Sequence, residues 1–338
     1  MEKIRKYITE AGLHVYVDKY ALLKANEINE YKNEDAKFNL YCILAGERTQ
    51  FEKVVIPDNE VVEIYFSYGT KVYCSVFQQK LFSPKPFSNE KIKITNNGQK
   101  VELVLDESDL LYVQNTRHDL LRCRAKNGKY VIRFGALFFL TEFFKAKNLK
   151  LDFDLLYIGQ SYGKNNNRDA LDRLESHSTF QKILADCMAE YPQKMIYVNL
   201  LSISDPLVLL GMDGFSNETQ CSEEEDKKHL MDIMNDINYD FKFQQIINIT
   251  EALLIHFFQP KYNVLLKTEF PNENSKGYQK YFTLDYNQVT FEYFPASGLP
   301  YMNLKTKSRS FECGFITYSL HKDKNRKSIF DIFDQKID

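Results

Sequence analysis

The sequence contains no tryptophan, no apolar run of about 18 residues, and no CxxC pair among its six cysteines. A membrane-spanning helix needs such a run, so its absence predicts that the protein has no membrane partner. The scattered cysteines argue against a disulfide framework or a zinc site and favour a reducing compartment. Because the charged residues Glu2, Lys3, Arg5 and Lys6 stand where a secretory leader would begin, we expect a cytoplasmic location.

Charge of one sign is also lacking, since 44 lysines and arginines meet 46 aspartates and glutamates in 338 residues. A nucleic-acid partner would therefore be bound by a local basic patch and not by the whole surface. Hydrophobic residues make up 44% of the chain, with 26 Phe and 22 Tyr. That content and this length predict two or three folded domains, and the helix and strand patterns along the chain predict the α+β class.

The first third of the chain predicts a helix followed by strands. Apolar residues at irregular helical spacing predict a helix over residues 3–33. Apolar and β-branched runs at 61–66, 71–76 and 101–105 predict strands, and turn signals such as Asn96-Asn97-Gly98 separate them. We interpret residues 1–133 as a strand-rich N-terminal domain of unknown role that begins with a helix.

Residues 134–270 predict a central domain in which strands and helices alternate. Strands are predicted at 155–159 and 195–200, and helices at 169–177, from Ser178 to about Tyr191, and at 241–258 before Pro260. The acidic stretch 213–229 predicts a solvated loop or a flexible segment. Residues 271–338 form a C-terminal extension with strands predicted at 281–284, 289–294 and 314–318.

Several polar residues of the central segment suggest phosphate chemistry. Arg173 and His177 lie four positions apart and share one face of the predicted helix, where a guanidinium can bind phosphate and an imidazole can exchange a proton. The same spacing is common on solvated basic helix faces. Glu251 lies among apolar residues of its helix, which favours a metal ion or an arginine as its partner. Asn248 and Glu251 also fit a helix-capping box.

Four segments occur in a characteristic order: Tyr157-Ile158-Gly159, then Arg173 with His177, then residues 251–255, then Pro260-Lys261-Tyr262-Asn263. Each segment alone is weak, because a strand tyrosine is usually a packing residue and an asparagine after a helix is often a turn residue. Together they resemble the GIY-YIG nuclease superfamily over about a third of the chain.

The resemblance implies a small mixed sheet with flanking helices and one active site for phosphodiester hydrolysis. In this interpretation Tyr157 positions or activates the water, Arg173 stabilises the transition-state phosphate, and His177 and Asn263 support them. Glu251 holds a single Mg²⁺ or Mn²⁺ ion. The partner is nucleic acid, with DNA favoured over RNA. Chains that add flanks to this module suggest a bacterial defence system or a mobile element as the setting.

Basic residues near these segments, Lys164, Arg168 and Lys182, are predicted to bind the nucleic-acid backbone. The family's first motif is expected on the strand about ten residues before Tyr157. Residues 143–148 contain no such tripeptide, and Tyr162 is the nearest phenol. Two other functions therefore stay open. One is a degenerate module that binds nucleic acid without cutting it, and the other is a protein-interaction protein whose motif match arose by chance.

Overall fold

The computed structural model describes residues 4–28, 38–58, 60–81, 85, 88, 90–116, 124–126, 129–160, 174, 178–203, 206–212, 219–239, 242–295, 299–321, 323 and 326–333. Within these residues the protein is a strand-rich α+β protein with few helices. The predicted α+β class is confirmed.

A mixed sheet, with nine strands among the described residues, forms the centre of the protein. Its strands are β1 (Thr9–Lys24), β2 (Leu40–Glu47), β10 (Leu151–Gln160), β11 (Lys194–Ile203), β12 (Leu207–Met212), β13 (Gln288–Tyr293), β14 (Met302–Lys305), β15 (Ser310–Phe311) and β16 (Gly314–Ser319). Their order is β15-β14-β10-β2-β11-β1-β13-β16, and β12 pairs with β1. The pairs β10–β14 and β1–β13 are parallel, whereas β10–β2 and β2–β11 are antiparallel.

This sheet takes strands from all three segments into which the sequence was divided. Strands β1 and β2 come from residues 1–133, β10 to β12 from 134–270, and β13 to β16 from 271–338. The predicted boundaries therefore do not separate the strands of the central sheet.

The helix predicted over residues 3–33 is wrong, because residues 9–24 form the long strand β1. Leu13, Val15 and Val17 are buried and alternate with half-buried residues, but residues 21–24 are all buried. A strand that is buried on both faces shows no clean alternation in its sequence. The helix-like spacing of its apolar residues was therefore a coincidence.

Two small sheets lie between β2 and β10 in the chain. One has strands β3 (Thr49–Val55), β4 (Val61–Tyr68) and β5 (Lys71–Gln78); the other has β6 (Ile92–Thr95), β7 (Lys100–Leu105), β8 (Arg124–Lys126) and β9 (Lys129–Gly135). The strands predicted at 61–66, 71–76 and 101–105 are confirmed. So is the turn at Asn96-Asn97-Gly98, where all three residues have positive φ.

The described helices are α1 (Glu107–Thr116), α2 (Ala136–Ala146), α3 (Ser178–Glu190), α4 (Glu223–Tyr239), α5 (Phe243–Phe258) and α6 (Gln279–Thr283). Helices α3 and α5 and the strand at 195–200 confirm their predictions. None of these helices combines the length and the apolar character needed to cross a membrane.

Two predictions fail at helices. The acidic stretch is helical from Glu223 onward, because Ser222 and Glu225 form a capping box in which the Ser222 N–H donates to Glu225 Oε2 at 2.9 Å. Its carboxylates then lie at the positive end of the helix dipole. Residues 281–284 were predicted as a strand but belong largely to α6, since a short apolar run does not distinguish the two.

Alternate residues of β2 face two different cores. Leu40, Cys42 and Leu44 pack with helix α5 on one face of the sheet. Tyr41 and Ile43 pack with helix α3 on the other face. The candidate site residues are therefore divided between the two faces and the outer edge of β10.

Candidate functional site

Strand β2 is the neighbour of the Tyr157 strand. It runs antiparallel to β10, with Ile43 opposite Tyr157 and Tyr41 opposite Gly159. The stretch expected to supply this neighbour, residues 143–148, begins at the end of helix α2. The prediction that the partner strand lies about ten residues before Tyr157 is wrong, because the two small sheets occupy the chain between the paired strands.

Two tyrosines meet at the glycine of the Tyr157-Ile158-Gly159 tripeptide. The rings of Tyr41 and Tyr157 lie 6.1 Å apart, centroid to centroid. A Cβ atom at Gly159 would lie 2.5 Å from the Tyr41 Cζ and hydroxyl oxygen and 2.8 Å from Tyr157 Cε1. The Tyr41 ring therefore occupies space that any side chain at position 159 would fill.

Tyr41 was missed by sequence reasoning, although a signal for it existed. Residues 40–45 are an apolar run that contains a tyrosine, but nothing local shows which strand they pair with. In the structure Tyr41 is fully buried, whereas Tyr157 is partly exposed. Leu174, the only described residue between 161 and 177, is buried in the same cluster as Tyr41 and helix α3.

Asn263 lies at the outer edge of β10. Its Oδ1 accepts a hydrogen bond from the Ile158 N–H at 2.9 Å, and its Nδ2 donates to the Ile158 carbonyl at 2.8 Å. The Tyr262 N–H donates to the Leu156 carbonyl at 3.0 Å. The Asn263 amide thus imitates a neighbouring strand and fixes the residue between Tyr157 and Gly159.

The turn that follows helix α5 places Asn263 beside this edge of β10. Gln259 ends the helix in the left-handed conformation, with φ of 53°, and Pro260 follows. The Tyr262 hydroxyl then donates to Asp186 of helix α3 at 2.8 Å. Burial, together with this hydrogen bond, raises the pKa of the Tyr262 phenol. The predicted stop at Pro260 is confirmed.

Glu251 lies in the interior of α5, so a capping role is excluded. It is half-buried and shares a helix face with Gln244 and Asn248, whose side chains bond to each other at 2.9 Å. Gln160 at the end of β10 donates to Asn248 Oδ1 at 2.9 Å. This amide network turns the face that carries Glu251 toward β10.

The site residues are thus brought together only in part. The ring of Tyr157 packs on the α3 face of the sheet, Asn263 binds the outer edge of β10, and α5 packs its apolar side on the opposite face. Lys182 is exposed on α3. Arg173, His177, Lys164 and Arg168, as well as Tyr162, lie outside the described residues.

Carboxylate and amide oxygens dominate the described part of the site, which is the donor chemistry that Mg²⁺ prefers. Glu251 supplies the carboxylate, whereas the amide oxygens of Asn248 and Gln160 already accept hydrogen bonds from neighbouring side-chain amides. Among the described residues, no group of three or more His, Cys, Asp or Glu side chains could hold a metal ion. A metal at this site would therefore take one protein carboxylate and complete its shell with water and substrate oxygens.

Comparison with known proteins adds no relative. A scan against protein-family models, a search of curated proteins and a search of solved structures each found no match to this chain.

Proposed function

We propose that this protein is a metal-dependent nuclease of the GIY-YIG type, in which strand β2 supplies the tyrosine of the first motif. One observation carries the proposal: Tyr41 packs over Gly159 beside Tyr157, on the strand directly paired with the Tyr157-Ile158-Gly159 strand. The resemblance requires a second phenol on the neighbouring strand, and Tyr41 meets that requirement from more than a hundred residues away in sequence. The two small sheets would then be an insertion within the nuclease module.

The position of Asn263 gives independent support. The resemblance assigns it a supporting role, and both of its amide groups bind Ile158, between Tyr157 and Gly159. An asparagine that merely ended a turn would have no reason to bond with this residue. In the proposal, Asn263 holds the backbone that carries Tyr157.

The remaining roles follow the chemistry of phosphodiester hydrolysis. The reaction needs an oriented water and neutralised charge on the phosphate oxygens. Tyr157, which is partly exposed, orients the attacking group, and the buried Tyr41 positions it by packing beside it. Arg173 and His177 take their roles from the resemblance alone. Glu251 would hold Mg²⁺ or Mn²⁺, which supplies charge neutralisation when bound.

Cleavage of labelled single-stranded and duplex DNA and RNA, with Mg²⁺ or Mn²⁺, tests this function. We expect Tyr157→Phe and Glu251→Gln each to reduce the cleavage rate by about 10²- to 10³-fold, since each removes a fixed group from the site. Matched controls are Tyr191→Phe and Glu142→Gln, which change exposed residues outside the site and should cleave like the wild type.

The outcomes separate the three functions. Cleavage that survives in both Tyr157→Phe and Glu251→Gln would refute the nuclease site. Binding of nucleic acid at low salt with no cleavage by the wild type would favour the degenerate binding module. Failure of the wild type to bind any nucleic acid at low salt would favour a protein-interaction role.

A further inference from the structure

A cleft of about 550 Å³ lies where the central sheet meets the β4–β5 hairpin. Four lysines from separate elements line it: Lys71, Lys150, Lys194 and Lys305. We call this the lysine cleft. Its volume is in the range of sites that bind ligands.

Three of the four ammonium groups are held by carboxylates. Lys305 Nζ lies 2.6 Å from Asp152 Oδ1, Lys194 is paired with Asp154, and Lys150 Nζ lies 2.5 Å from Glu312 Oε2. These partners position the lysines at the cleft before any ligand arrives. The Glu312 carboxylate, through its hydrogen bond, also raises the pKa of Lys150, so this lysine is charged at neutral pH.

The fourth lysine is positioned by a hairpin turn. Gly69, with φ of +60°, lies between Tyr68 and Lys71 at the tip, where its N–H donates to the Arg48 carbonyl at 2.8 Å. Positive φ at the first turn position suits a two-residue hairpin, and any Cβ there would meet Glu47 Oε2 at 2.7 Å. The turn therefore holds Lys71 at the mouth of the cleft.

A phosphate can replace these carboxylates at little cost. Both members of the Lys305–Asp152 and Lys150–Glu312 pairs are at least 40% exposed. An exposed ion pair contributes only about 0–1 kcal/mol, so exchanging one anionic partner for another costs little. With Glu312, the partner of Lys150, included, four carboxylates (Glu47, Asp152, Asp154 and Glu312) balance the four lysines, so a phosphate must displace these carboxylates to meet positive charge.

Part of the cleft lies on the sheet face that carries Tyr157, while its lining residues Phe144 and Phe153 belong to the core on the other face. Asp154 lies opposite Ala45 and Tyr157 opposite Ile43, because a bulge between Leu155 and Tyr157 keeps the two on one side. Lys194 lies opposite Glu47 on the same face. Because their partners Ala45 and Ile43 are two residues apart on β2, Tyr157 lies roughly 7 Å along the sheet from Asp154, at about 3.3 Å per residue.

We propose that the lysine cleft binds the phosphodiester backbone of the same nucleic-acid strand that reaches Tyr157. This inference rests on the proposed function and adds a path for the substrate. Lysine contacts to phosphates carry no sequence information. Binding in the cleft is therefore independent of sequence and weakens steeply with salt.

Fluorescence anisotropy with a labelled single-stranded oligonucleotide, without divalent metal and over a series of NaCl concentrations, tests the cleft. We expect Lys71→Gln and Lys305→Gln each to weaken binding and to reduce the slope of log K against log salt by about one, and the double variant by about two. Lys93→Gln, which changes an exposed lysine on β6 in another sheet, should leave affinity and slope unchanged.

Unchanged slopes in the cleft variants would overturn the inference, whatever the cleavage assay shows. A competition experiment gives a second test. If inorganic phosphate displaced the labelled oligonucleotide as effectively as an unlabelled strand with the same total phosphate concentration, the inference would be overturned, because a site for a single anion would then explain the binding. Reduced slopes, with the strand as the better competitor, support it. Cleavage with metal is measured separately and tests the tyrosine site alone.

Discussion

Replacing Gly159 with alanine should destabilise the protein through a contact between two distant segments. The new Cβ would lie 2.5 Å from the Tyr41 ring and 2.8 Å from Tyr157, closer than real Cβ contacts permit. Gly159 lies in extended strand backbone that any residue adopts, so the cost is steric. Tyr41 is fully buried and cannot move aside freely. Overpacking of this kind costs typically 1–3 kcal/mol, and we expect about 3 kcal/mol here.

Urea denaturation of the variant and of a double-mutant cycle with Tyr41→Leu measures this contact. The leucine removes the Tyr41 ring and leaves only the contact with the partly exposed Tyr157, so Gly159→Ala should then cost at least about 1 kcal/mol less, and the two substitutions should couple. Gly135→Ala is the matched control, because its Cβ would meet only Glu27 Oε1, at 3.7 Å. A loss of stability for Gly159→Ala that is additive with Tyr41→Leu within about 0.5 kcal/mol would refute the packing argument.

Three further predictions concern stability. Asn263→Ala leaves the buried N–H and carbonyl of Ile158 without partners and should cost about 2–5 kcal/mol in urea unfolding, whereas a cost below 1 kcal/mol would contradict the edge-strand role. Glu10→Ala removes the carboxylate that lies 3.3 Å from the Arg5 guanidinium in a fully buried pair, so we expect a loss of about 3–5 kcal/mol by the same assay. Burial lowers the pKa of His229 below its ordinary 6.5, so the unfolded chain binds its proton more tightly and the free energy of unfolding should fall as pH drops through 6.5. In His229→Phe that pH dependence should be weaker, and an unchanged slope would rule out this histidine as its source.

Local chemistry made part of the fold predictable. The sequence pattern of Ser178 and Gln181 predicted helix α3, the proline at 260 predicted the end of α5, and Asn96-Asn97-Gly98 predicted a turn, which has positive φ. These features depend on neighbours within a few residues. The Ser222 and Glu225 box carried the same kind of information, but the acidic run was interpreted as a solvated segment.

The non-local part of the fold was not predictable from one sequence. The pairing of Tyr41 with Gly159 joins residues that two small sheets separate along the chain, and no residue near either partner indicates the other. The prediction of a helix in place of strand β1 failed for a related reason. Residues 21–24 are buried by a core cluster on each side of the sheet, so the alternation that marks a half-buried strand is lost there.

The candidate site also combines residues that local sequence motifs indicate with residues that only the fold brings together. Tyr157, Glu251 and Asn263 could be proposed because each belongs to a short ordered motif. The function of Asn263 as a substitute for a strand edge depends on the turn at Gln259 and on the outer edge of β10 beside it. The lysine cleft was also beyond sequence reasoning, since its lysines are spread from position 71 to position 305.

The parallel pairing of β1 with β13 has a consequence for biosynthesis. Gly12 lies beside Gln288 in that ladder, and β13 in turn pairs with β16 near residue 319. During translation the opening strand must wait until most of the polypeptide has left the ribosome before its partner exists. Contacts of such high sequence separation make folding slow and leave β1 exposed to aggregation in the meantime. Fragments that end before residue 288 therefore cannot complete this sheet, and shortened versions of the protein must keep both β1 and β13.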